Sequence, residues 1–192
     1  MNDLTEYMKI RPLLQTGDPL SFRSNSILGK LIRWKTDAKV NHTGMVIRFP
    51  TYEEGCDRVF VIEAMGKRLE MNALSERLMA FDGRAWWLKL RNEFDPIRNI
   101  IGGRALYYVG TDVKYDYMGC LFGNLIGRAK KDKKRLFCSE ALWLYIEEAV
   151  QMSGDASLKE IIRVANLTLK NEAPTPGDFP RLGIHAKSAL IL

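Results

Sequence analysis

HTGMVIRF at residues 42–49 and RVFVIEA at residues 58–64 are joined by PTYEEGCD at residues 50–57. The outer runs are rich in β-branched and aromatic residues and the middle is polar and turn-forming, which is the pattern of a β-hairpin. A hairpin centred near Glu53–Glu54 puts His42 and Glu63 on one sheet face. They are then diagonal neighbours or, after a two-residue shift, directly opposite. Upstream, GDPLSF at residues 17–22 opens a short strand after a turn. Ser24-Asn25-Ser26 supplies N-cap chemistry, and Ile27, Leu28, Leu31 and Ile32 form one apolar face of a helix ending near Thr36.

Downstream, strands are expected over Lys67–Asn72 and Ala85–Arg91, with a short helix over Leu74–Phe81 between them. Asp95-Pro96 opens a helix that runs toward Tyr108. Tyr115–Gly127 is aromatic and apolar. A final helix starts at or just before Cys138 and ends near Met152, where Ser153-Gly154 stops it. Beyond Lys170 the chain reads as extended, with Pro174, Pro176 and Pro180. Trp34, Trp86, Trp87 and Trp143 read as core. The fold class is α+β, an antiparallel sheet packed against the Cys138 helix. The expectation is one domain over residues 1–192, with its core at about 17–180.

With 46% hydrophobic and 27% charged residues, the 192-residue chain has the composition of a soluble globular protein. MNDLTEYMKIRPLL lacks the basic start and apolar run of a signal peptide, and no stretch is apolar enough to span a bilayer. The expected location is therefore cytoplasmic. Cys56, Cys120 and Cys138 are an odd set without a secretory signal, which argues for free thiols. With no CxxC pair and only two histidines, neither a metal nor another cofactor is expected.

The net charge of +6 is local, because the run Arg128–Arg135 alone carries +5. It reads as a solvated loop or as a contact for an anionic surface such as a membrane or wall polymer. No aromatic residues interleave its lysines, so nucleic acid is not an expected partner.

On the helix from residue 138, positions 138, 141, 142, 145, 146 and 149 share one face, and they are Cys, Ala, Leu, Tyr, Ile and Ala. Cys138 thus lies at the first turn of the buried stripe. Unpaired N–H groups and the helix dipole there favour a thiolate. Most free cysteines are simply small buried residues, so Cys138 needs a base beside it to be a nucleophile. Only His42 and His185 exist, and His185 lies in a Pro- and Gly-flanked tail. His42 opens a strand that can hold an imidazole rigidly, and Glu63 on the same face can accept its distal N–H. Tyr115 and Tyr117 flank Asp116; they can line a substrate groove or pack in the core.

GDPLSFRSNSILGKLIRWKTDAKVNHTGMVI, VFVIEA, YDYMG, FCSEALW and PTPGDF follow one another between Gly17 and Phe179. In this order they resemble the circularly permuted NlpC-like branch of the papain superfamily, YiiX/YebB-like. The resemblance implies a papain-like cysteine hydrolase with Cys138 as nucleophile, His42 as base and Glu63 as the orienting third residue. It implies an amidase or thiol peptidase acting on a peptide or peptidoglycan-type amide. The related branch containing lecithin:retinol acyltransferase implies, alternatively, a lipid ester hydrolase or acyltransferase. A catalytically inert binding module on the same fold is the reading from a different class. Two features depart from the family pattern: Pro19 in the first strand and the basic insert Arg128–Arg135.

Overall fold

The two apolar runs around the hairpin turn lie in the middle of one sheet. The structure is a computed structural model that describes residues 2–49, 58–65, 68–111, 114–115, 135–169 and 174–192. Its strands are β1 (Pro19–Ser24), β2 (His42–Arg48), β3 (Val59–Met65), β4 (Arg68–Ala73), β5 (Gly83–Leu90), β6 (Lys114–Tyr115), β7 (Arg135–Leu136) and β8 (His185–Leu190). They are ordered β7-β6-β4-β3-β2-β1-β5-β8. Neighbours are antiparallel except at one edge, where the short β6 and β7 run parallel, so the sheet is not the wholly antiparallel one expected.

The helices are α1 (Thr5–Ile10), α2 (Ile27–Thr36), α3 (Leu74–Met79), α4 (Arg98–Val109), α5 (Cys138–Ser153) and α6 (Ala156–Thr168). The fold is α+β. Among the described residues no helix is long and apolar enough to cross a membrane.

Both faces of the central strands are covered, which is why β2 and β3 read as continuous apolar runs rather than as alternating ones. Met45, Ile47, Ile62, Leu88 and Leu90 pack under α4, α5 and α6. Val46, Val61, Leu20, Phe22 and Trp87 face the other way, toward Tyr7 of α1 and Leu74 and Leu78 of α3. Leu142, Trp143, Ile146 and Val150 of α5 are buried. Each contributes roughly 1.5–3 kcal/mol, so α5 cannot slide cheaply and the place of its first residue is determined.

Several elements differ from the sequence expectation. The helix expected from Asp95 begins as a 3-10 turn over Asn92–Ile97, and Asp95 bonds the Arg98 side chain (2.7 Å) instead of capping. The helix after Cys138 is not the last. Gly154, at φ 73°, ends α5 in the left-handed conformation, and Asp155 then caps α6 through the N–H groups of Ser157 and Leu158.

The C-terminal stretch is not simply extended either. It makes a 3-10 turn at Phe179–Arg181 and then pairs as β8 on the edge of β5. The prolines mask this edge strand locally, since its order comes from β5. Trp87 and Trp143 are core, but Trp34 is 81% exposed. On α2 only Gly29 and Ile32 face inward, so the expected apolar face is largely turned to solvent.

Candidate active site

β2 and β3 are in register from Arg48↔Val59 to Gly44↔Glu63, and there they part. β3 goes on with β4 alone, as far as Met65↔Arg68. His42 and Glu63 are therefore diagonal across the last rung, and Gly44 sits opposite Glu63. A Cβ on Gly44 would meet Val61 Cγ2 at 2.6 Å and Glu63 Cβ at 3.3 Å. Glycine here lets the carboxylate swing across to His42. The His42 Nε2 to Glu63 Oε2 distance is 2.8 Å, with the Glu63 side chain fully buried.

Arg77 of α3 completes this corner. Its Nε donates to Glu63 Oε1 (2.5 Å) and its Nη2 to Oε2 (3.2 Å). Its guanidinium lies over the rings of Phe22 (5.4 Å) and Phe81 (4.8 Å). The Phe22 ring also packs beside the His42 ring at 5.7 Å. A buried carboxylate needs such a partner, because an isolated one would neutralise itself. Burial pushes the Glu63 carboxyl up, but the bonds and charges of His42 and then Arg77 outweigh it and hold Glu63 below its ordinary value.

Cys138 is the first residue of α5, buried, at a helix end without a side-chain cap. Burial raises its thiol pKa. The charge and hydrogen bond of His42 act against this, followed by the Thr43 backbone N–H and hydroxyl, and the thiol ends below its ordinary value of 9.0. The Thr43 hydroxyl acts on the sulfur as a dipole only, since it is buried without a partner at full hydrogen-bond geometry. Burial works to lower His42, yet the Cys138 charge, the Cys138 bond and then Glu63 raise it from 6.5 to about 10. Each group thus shifts the other toward its charged form, the thiol toward thiolate and the imidazole toward imidazolium. Glu63 holds Nε2, which leaves Nδ1 for the sulfur.

The structure thus brings Cys138, His42 and Glu63 together. His185 stands apart at the start of β8, with Nε2 donating to the Phe179 carbonyl (2.8 Å) and Nδ1 buried without a partner. Burial lowers its pKa to about 4. It is a strand residue, not part of a loose tail. Tyr115 lies in β6, but its side chain and Tyr117 fall outside the described residues, as do Cys56, Cys120 and residues 128–134. The sequence reading missed Arg77 and Thr43. Nothing local marks Arg77 within LSERLM, although a buried Glu63 implies some cation.

No family model and no curated protein matches the sequence. Among solved structures the chain is similar to the crystal structure of metalloprotein yiiX from Escherichia coli O157:H7, DUF1105. The TM-score is 0.60 at 18% identity, covering 93% of this chain and 97% of that one. At that identity the likeness is one of fold. That protein is named for a metal. Among the described residues of this chain no group of three or more His, Cys, Asp or Glu side chains is placed to hold one. Glu63 is already engaged by Arg77 and His42. Among the described residues, therefore, the donor set does not fit a metal.

Proposed function

We propose that the protein is a cysteine-dependent hydrolase of the papain-like, circularly permuted NlpC type, with Cys138 as nucleophile, His42 as acid and base, and Glu63 as the residue that orients His42. One observation carries the reading: a buried thiol at a helix N-terminus, held below its ordinary pKa by the imidazole of His42, whose Nε2 meets a buried carboxylate at 2.8 Å. The Cys138 thiolate attacks the carbonyl carbon of the substrate, and N–H groups of the first turn of α5 face the developing oxyanion. His42 gives its proton to the leaving group as the acyl-enzyme forms. Neutral His42 then takes a proton from water. The hydroxide attacks the thioester, the thiolate leaves, and the His42 proton restores the ion pair.

The substrate class proposed is a peptide or peptidoglycan-type amide. A second reading, ester hydrolysis or acyl transfer on a lipid, is favoured by the exposed apolar side of α2, which leads directly into β2. The test is turnover of an activated ester and a peptide amide by purified protein, with iodoacetamide labelling at pH 6. Wild type is expected to turn over and to label at Cys138 first, while Cys138→Ala is folded and dead. Turnover by Cys138→Ala at the wild-type rate overturns the reading and leaves a binding module in its place.

A further inference from the structure

Helix α2 is held to the protein by one side only. Gly29 and Ile32 are buried there, and Arg33 Nη1 donates to the Ser24 carbonyl and to Asn41 Oδ1 (3.1 Å). Its outer side carries Ile27, Leu31 and Trp34, exposed by 86%, 46% and 81%. At helical geometry these three fall within about 60° of arc. Lys30 flanks the ridge on one side, and Lys35 and Leu28 flank it on the other. Arg23 and Lys39 are also exposed at the two ends of the helix, against the exposed acids Asp37 at its C-cap and Asp82, which Asn25 Nδ2 bonds at its N-terminal end (2.8 Å).

Scattered exposed apolar residues are ordinary, but a contiguous ridge of them marks a contact. The charge around this ridge is basic, and that selects the partner. An apolar crest carrying a tryptophan and edged by lysines is how an amphipathic helix lies in a bilayer interface. The crest enters the acyl boundary, the indole sits at headgroup level, and the ammonium groups reach the phosphates. We propose that α2 docks this protein onto an anionic phospholipid surface. Asn41, which Arg33 braces, immediately precedes His42, so docking brings the His42 end of the sheet to the membrane. The docking does not depend on Cys138 chemistry or on the bond cleaved.

The experiment is co-sedimentation of the whole protein with vesicles of phosphatidylcholine alone, or of equal parts phosphatidylcholine and phosphatidylglycerol. Wild type is expected to bind the anionic vesicles and to release from them as salt rises. Trp34→Ser should lower partitioning about tenfold or more, and Lys30→Glu should weaken binding to the anionic vesicles only. Both variants should keep the melting temperature and the turnover of a soluble ester. Failure of wild type to bind anionic vesicles overturns the proposal, as does equal binding by Trp34→Ser. A dimer in solution that Trp34→Ser dissociates also overturns it, because a second copy then covers the ridge.

Discussion

The protein buries two carboxylates beside two arginines and uses them differently. Asp18 is fully buried where the chain enters β1. Its Oδ1 accepts from the Leu90 N–H (3.1 Å) and Arg98 Nη1 (2.8 Å), and its Oδ2 from Trp87 Nε1 (2.8 Å) and the Gln15 N–H (3.0 Å). Those donors are two backbone N–H groups, an indole and a guanidinium, and they tie β1 to β5 and α4. Glu63 spends one oxygen on Arg77 and shares the other between Arg77 and His42, which does titrate and in turn faces Cys138. An arginine–carboxylate pair becomes a lock when every other donor is fixed, and a lever on chemistry when one donor is an imidazole.

The largest effect expected is on the lock. Asp18→Asn turns one acceptor into a donor, and that donor must face two existing donors. It should cost about 3–5 kcal/mol of stability, the range for breaking a buried pair, read by chemical denaturation. The surviving folded fraction should keep its specific activity. A variant of wild-type stability would show that Asp18 is no lock.

Glu63→Gln should act the other way. It keeps the shape, but its amide can favour the wrong imidazole tautomer, so turnover should fall on the order of ten- to a hundred-fold, about 1.4–2.7 kcal/mol of barrier. The melting temperature should fall less than in Asp18→Asn. Full activity in Glu63→Gln beside a dead Cys138→Ala would leave the nucleophile standing and remove the third residue.

The smallest effects lie in pH dependence. Cys138 should alkylate well below its ordinary thiol pKa of 9.0. Glu63→Gln should raise the onset by about half a unit, roughly 0.7 kcal/mol. Asp18→Asn should leave the onset in place. An equal shift in both variants would mean that the two networks are one.

Stability gives a second check. His42, raised from 6.5 to about 10 on folding, adds stability that is full below pH 6.5 and is lost as pH rises through about 10. Cys138, held below 9.0 on folding, adds stability that is full above 9.0 and is lost as pH falls through its folded value. Between pH 9.0 and 10 wild type should therefore lose stability more steeply than Cys138→Ala, in which His42 no longer faces the thiolate. Equal slopes there would mean that Cys138 does not raise His42.

Much of this was legible in the sequence. The apolar runs of β2 and β3, the Ser26 cap of α2 and the Gly154 stop of α5 are local signals, each written within a few residues. The hairpin spacing put His42 and Glu63 on one face, because two strands and a turn have few registers. Cys138 fell on the apolar stripe of a strongly periodic helix. What the sequence did not carry was long-range pairing. That Arg77 reaches Glu63, that the parting of β2 and β3 lets the Thr43 N–H reach the sulfur, and that Asp18 gathers Trp87, Leu90 and Arg98 all depend on elements far apart in the chain. The same holds for β8, ordered by β5 although Pro174, Pro176 and Pro180 crowd the stretch before it, and for Trp34, an aromatic residue left outside the core. Periodicity states which residues share a face, but only packing decides whether that face is covered.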